Sequence, residues 1–161
     1  MQILYADKKY IRSFYQAVDS VARERIHLER VEAGDFSKIE SFQLSLIASN
    51  SPSYYAIETE TVVGWVDICP GDNPRIAHRG TLGMGVVESH RGKGLGTKLL
   101  TKALEHCPQS HIKKVELVVY EKNYPALSLY RKLGFREVGI SENYRKLDGI
   151  YYNAILMEKV L

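Results

Sequence analysis

Apolar residues recur at three- and four-residue steps near the start of the chain. Ile11, Phe14, Tyr15, Val18, Val21 and Ala22 fall on one stripe, which predicts an amphipathic helix over 8–25. Asp35 is placed to cap a second helix carrying Phe36, Ile39, Phe42, Leu46 and Ile47. Ser49-Asn50-Ser51-Pro52 ends that helix. The pattern then shifts to β-branched and aromatic runs. Residues 54–58 and 62–68 predict strands joined by a short turn, and Pro70 to Pro74 a loop. Residues 77–87 predict another strand. A glycine-rich turn follows, and then a helix from Gly94 to His106 with Leu95, Leu99, Leu100, Ala103 and Leu104 on one face. Val115–Tyr120 predicts a strand, Pro125–Leu133 a short helix stopped by Gly134, and 135–160 two strands joined at Asp148-Gly149. This order predicts a mixed α+β domain around one sheet.

Length and composition agree with a single domain over 1–161. The chain has 161 residues, 45% hydrophobic and 25% charged, an ordinary globular balance. Its net charge of +3 is too small to imply a nucleic-acid partner by itself. Cys69 and Cys107 are too few for a disulfide scaffold and too far apart for a CxxC pair, so two free thiols and a cytoplasmic location are expected. The apolar N-terminal stretch is too short for a signal-peptide core. No window approaches the roughly 20 apolar residues of a membrane span, and no metal-ligand cluster stands out.

The stretch with chemical content is Arg91-Gly92-Lys93-Gly94-Leu95-Gly96-Thr97-Lys98, between a strand and a helix. Glycine at alternate positions lets backbone approach a ligand closely, and free N–H groups at a helix start favour an anion. Its spacing fits neither the dinucleotide GxGxxG fingerprint nor a Walker A loop. Lys93 and Lys98 are candidate phosphate contacts.

These residues resemble the (Gln/Arg)-x-x-Gly-x-(Gly/Ala) motif of the GNAT acetyltransferases. Asn123-Tyr124-Pro125-Ala126-Leu127-Ser128-Leu129-Tyr130-Arg131-Lys132-Leu133-Gly134-Phe135 resembles that family's N-x-x-A-x-x-L-Y-x-K-x-G-F segment. The resemblance covers 54–160, the expected cofactor-binding core, and leaves the N-terminal helices of 1–50 as the expected acceptor side. It implies a mostly antiparallel sheet with helices on both faces and one splayed parallel strand pair. It implies transfer of an acetyl group from acetyl-CoA, without a metal, to a primary amine of a small molecule or amino acid. Protein or peptide amines and a non-catalytic acyl-CoA-binding role are the alternatives. Nucleic acid and membrane are not expected partners, and a homodimer is a common state for similar domains.

Residue by residue, the resemblance implies that the backbone of Val86 and Val87 pairs with the pantetheine arm. A backbone N–H of Val86 or Val87 would also polarise the acetyl carbonyl. Arg91, Gly92, Lys93, Gly94, Leu95, Gly96 and Thr97 surround the pyrophosphate, and Asn123 approaches the sulfur. Tyr130 is expected to protonate the departing thiolate. No carboxylate occupies residues 80–87, where many members carry a glutamate base. His78 is therefore the first candidate base, with Glu116, Glu88, His90 or waters as alternatives. Gly83 and Gly85 alternate and so face one side of the strand, making room for a ligand or a close-packed neighbour. Glu24, Glu29, Glu32, Asp35, Tyr144, Tyr151 and Tyr152 are candidates to meet a protonated amine.

Overall fold

A computed structural model describes residues 1–161. Seven strands form one sheet in the order β1-β2-β3-β4-β5-β7-β6. They are β1 (Gln2–Tyr5), β2 (Ser53–Glu58), β3 (Thr61–Pro70), β4 (Arg79–Val86), β5 (Lys114–Tyr120), β6 (Arg136–Leu147) and β7 (Ile150–Val160). Every neighbouring pair is antiparallel except β4 and β5. These two pair at Arg79–Lys114, Gly80–Val115 and Thr81–Glu116 and then separate. β5 stays paired with β7 as far as Tyr120, and β4 stays paired with β3 as far as Val86. The sheet therefore splits between two strands that are each held on their far side.

The helices α1 (Ile11–Arg23) and α2 (Phe36–Ala48) precede the central strands, and α3 (Leu95–His106) and α4 (Tyr124–Lys132) follow β4 and β5. One core joins α1 to Tyr55, Val62 and Trp65. The other joins α3 and α4 to Val115, Leu117, Val119, Phe135 and Met157. Alternation along β5 sends Val115, Leu117 and Val119 into this second core. Glu116, Val118 and Tyr120 are thereby directed to the opposite face.

Two elements differ from the sequence expectation. β1 forms although four residues give no readable period. Its pairing with β2 makes it, from Gln2–Ile57 to Tyr5–Tyr54, and the Tyr5 hydroxyl donates to the Ser51 carbonyl at 3.1 Å. In α2, Phe42 is 46% exposed while Gln43 is fully buried. The reason is a polar cluster beneath the helix. Asp67 on β3 accepts from Ser53 Oγ at 2.5 Å and from Gln43 Nε2 at 3.0 Å. The Tyr55 hydroxyl donates to Gln43 Oε1 at 2.7 Å. An amide that both donates and accepts links the buried carboxyl to the buried phenol, so the helix turns Gln43 inward.

No cation pairs with Asp67, and burial raises its pKa to about 6. An unfolded aspartate titrates near 4. The folded protein thus holds this proton more tightly, and Asp67 ionisation lowers stability as pH rises from about 4 to about 6. Relative to Asp67→Asn, the wild type should lose on the order of 2–3 kcal/mol between pH 4 and pH 7. Urea unfolding of both proteins across this range checks the difference.

Candidate active site

The split between β4 and β5 opens into a cavity of about 730 Å³. Its walls come from Leu82–Val86, the glycine turn, Val118–Tyr120, Asn123, and α4 through Leu129 and Tyr130. Only the stretch around Val21 and His27–Glu29 reaches it from the N-terminal region. α2 contributes nothing to the lining, because it covers the Asp67 cluster instead.

The glycine turn has the open backbone geometry that an anion cradle requires. Gly92 and Gly94 have φ of 72° and 76°, a region costly for any residue with a Cβ. A Cβ at either would meet nothing within 4 Å, so the demand is conformational and the space above the turn is open. Gly94 caps α3 without a side-chain bond. The Lys98 N–H, donating to the Gly94 carbonyl, is the first amide of the turn to find a helical acceptor. The amides of Leu95, Gly96 and Thr97 are left free at the positive end of the helix.

The charge here is less than the sequence suggests. Arg91 does not face outward as a free cation. Its Nη1 and Nη2 fork onto the Glu24 carboxylate at 2.7 Å each, and its Nε donates to the Val86 carbonyl at 2.8 Å. Glu24 is correspondingly held below the usual carboxylate range, chiefly by its bonds from Arg91. Arg91 thus straps the end of α1 to the cavity wall. His27 Nε2 lies 3.2 Å from Arg91 Nη1. Burial, with Arg91 beside it, lowers the His27 pKa and keeps the ring neutral. Lys93 folds back onto the Ser89 carbonyl at 2.9 Å. Lys98 is exposed at the start of α3.

The backbone at the top of β4 is partly engaged. The Val87 N–H donates to the Val63 carbonyl at 3.0 Å, so it is not available to an incoming carbonyl. The Val86 carbonyl points the other way, to Arg91. Backbone direction alternates along a strand, so the Val86 and Met84 N–H groups face the gap. The two glycines of β4 serve different ends. Gly83 has open space where a Cβ would stand, whereas a Cβ on Gly85 would lie 2.3 Å from the Trp65 ring.

Tyr130 is 8% exposed and packs against Phe135 at 5.8 Å between ring centroids. It lines the cavity, and burial pushes its phenol up to about 12. Asn123 also lines the cavity and caps α4, its Oδ1 accepting from the Ala126 N–H at 3.4 Å. His78 does not join them. It is exposed on the turn before β4 and outside the lining, and its carbonyl holds the N–H groups of Lys113 and Lys114. Among its alternatives, Glu116 is paired with Arg79 at 2.7 Å and Lys114 at 2.9 Å. His90 touches the lining and sits 3.0 Å from Glu58, while Glu88 is exposed.

Of the residues expected to meet an amine, Glu29 and Tyr144 reach the cavity. Glu24 is bound to Arg91, Asp35 caps α2, and Glu32 lies near Arg23. Glu29 is the single carboxylate of the lining. His27 and Tyr120 were not anticipated. Alternation along β5 could have marked Tyr120, but nothing periodic marks His27, which lies between helices.

A sheet split at a parallel pair, with a glycine cradle at the mouth of the split, defines an acetyltransferase-type fold. The chain belongs to the acetyltransferase (GNAT) family, whose sequence profile matches residues 10–135. It is 30% identical over 100 residues to an L-amino acid N-acetyltransferase of Escherichia coli, and the match spans 62% of each chain. Among solved structures, a GNAT-family acetyltransferase from Streptococcus pneumoniae aligns over 99% of both chains at a TM-score of 0.91 and 23% identity. A phosphinothricin acetyltransferase from Sinorhizobium meliloti, solved in complex with AcCoA, aligns over 99% of this chain and 88% of its own at a TM-score of 0.91 and 15% identity. The expected fold, with its splayed parallel pair, is the one observed. No helix is long and apolar enough to cross a membrane.

Glu24→Ala should release the strap between α1 and the glycine turn, leaving Arg91 without a carboxylate. A loss of about 1–2 kcal/mol is expected, with faster proteolysis inside 24–34. Urea unfolding and peptide mapping of a limited digest check both.

Proposed function

We propose that this protein is an N-acetyltransferase that takes its acetyl group from acetyl-CoA and delivers it to a primary amine of a small molecule or amino acid. The observation that carries this reading is one continuous cavity joining the free amides of the glycine turn to Tyr130 through the gap between β4 and β5. The cradle suits a pyrophosphate, because its unpartnered N–H groups and open glycines accept an anion without a side chain intervening. The E. coli relative is named for acetylating L-amino acids, which agrees with a small amine as acceptor.

In this reading the amides of Gly92 to Thr97 hold the pyrophosphate, with Lys98 beside them. Acetyl-CoA, when bound, supplies the thioester that the amine attacks. The Val86 N–H is the donor for the acetyl oxygen, since that of Val87 is already bonded to β3. Asn123 stands with Tyr130 on the cavity wall nearest α4.

Tyr130 keeps its proton at neutral pH, because burial raises a phenol that is already a weak acid. That order of pKa values has a second consequence. A thiol titrates near 8.5, so complete transfer of the phenol proton to the thiolate is uphill. Tyr130 therefore acts first as a hydrogen-bond donor to the charge developing on sulfur, and proton transfer is completed as the amine proton is lost. Glu29 is the proposed anchor for the ammonium and first acceptor of its proton. It is the carboxylate of the cavity wall and has no ion-pair partner. His78 is too far round the sheet end to serve, as it does not line the cavity.

Release of free thiol from acetyl-CoA over a panel of amines, amino acids and peptides tests the activity. Binding of acetyl-CoA with no acceptor releasing thiol would leave only a binding role. Tyr130→Phe should lower kcat by about 10²-fold or more with acetyl-CoA affinity kept. Unchanged turnover would remove Tyr130 from the chemistry.

A further inference from the structure

We infer that Arg145 is the anchor of an anion subsite at the acceptor end of the cavity, so that the accepted amine carries a carboxylate. This rests on the acetyltransferase reading above and narrows its substrate class.

Arg145 lies on β6 and is only 7% exposed. No carboxylate pairs with it. Its Nη1 donates to the Arg25 carbonyl at 3.2 Å, and its Nη2 is buried without a partner. Asp148, on the same hairpin, is paired with Arg25 instead at 2.7 Å. The other buried charged side chains are all satisfied. Glu158 is bonded by Lys114 and Arg136, and Asp67 by Ser53 and Gln43. A buried guanidinium lacking a counter-charge is costly.

Its surroundings connect this charge to the cavity. The guanidinium lies 5.3 Å from the Tyr120 ring and 6.0 Å from that of Tyr152. The Tyr120 hydroxyl is also buried without a partner, and Tyr120 forms part of the cavity wall. Two donors and a full positive charge therefore stand one layer behind that wall with no acceptor. Tyr144, edge-on to Tyr120 at 6.4 Å, lines the same end of the cavity and is 40% exposed. Glu29 lies close enough to perturb both tyrosines. One end of the cavity thus has an unpaired carboxylate on its wall and, one layer behind Tyr120, a guanidinium without a counter-charge, together the complement of a zwitterion. An ammonium goes to Glu29, and a carboxylate takes the hydrogen bonds that Arg145 and Tyr120 lack.

The test measures kcat/KM with acetyl-CoA for L-leucine and L-phenylalanine against their amides, which keep amine and side chain but lose the negative charge. The wild type should prefer the acids at least tenfold. In Arg145→Met that ratio should fall at least tenfold through a higher KM for the acids, with the KM for the amides unchanged. Arg145→Lys, which keeps the charge and loses the fork, should fall between the two and also guards against a folding failure of the methionine variant. An unchanged ratio in Arg145→Met, or a lower melting temperature with the ratio unmoved, would overturn the inference and leave a packing role. Transfer to the amides as readily as to the acids would overturn it while leaving the proposed activity intact. Binding of acetyl-CoA with transfer to none of the four, nor to any acceptor of the wider amine, amino-acid and peptide panel, would overturn both.

Discussion

β4 and β5 share three residue pairs and then part, each still bonded on its outer side. The inner edges lose ladder hydrogen bonds that a continuous sheet would supply, and backbone polar groups must find other partners or a ligand. The site follows from this one interruption. It opens a cavity in the middle of the sheet, exposes the Val86 and Met84 amides, and leads straight to the start of α3. The helix start is itself short of hydrogen-bond acceptors. Two sets of unsatisfied donors, one on a strand edge and one on a helix end, therefore line the same path.

The split holds its shape because the walls are tied from behind. Arg91 bonds the Val86 carbonyl and forks onto Glu24, which fixes the end of α1 against the last residue of β4. Trp65 lies so close to Gly85 that no larger residue fits there, which locks β4 onto the α1 side. The strongest cation of the glycine turn is thus used for construction. The donors left free in the turn are backbone amides, whose positions are set by the fold and do not vary with side-chain rotamer. The same division holds elsewhere. Asp67 and Gln43 build the floor under α2, whereas Glu29 on the cavity wall and Arg145 behind it have no ion-pair partner.

Much of this was legible in the order of residues. Helical and strand periods located α1, α3 and β5, because each buries one face against a single core, while β2 and β3 stood out as β-branched and aromatic runs that lie between the two cores and feed both. The glycine turn and the Asn123–Phe135 segment were legible because φ above zero, a helix start and a cap depend on residues adjacent in the chain. β1 was not legible, since a four-residue edge strand exists only through its partner. Nor was Gln43, a polar residue turned inward by a carboxyl on another strand. His78 looked suitable by type and by closeness along the chain, yet it lies on the exposed turn before β4 and outside the cavity lining.

The sequence by itself determined the glycine turn with its helix start and the mixed α+β class, and its resemblance to the GNAT acetyltransferases singled out Tyr130. These are local patterns, in which neighbouring residues fix each other's backbone. Only the tertiary structure decided which charges are free. Arg91 is neutralised by Glu24 from another element, Glu116 by Arg79 and Lys114, and Asp148 by Arg25, while Arg145 remains unmatched. Pairing of charges depends on distances across the fold, which position in the chain does not encode.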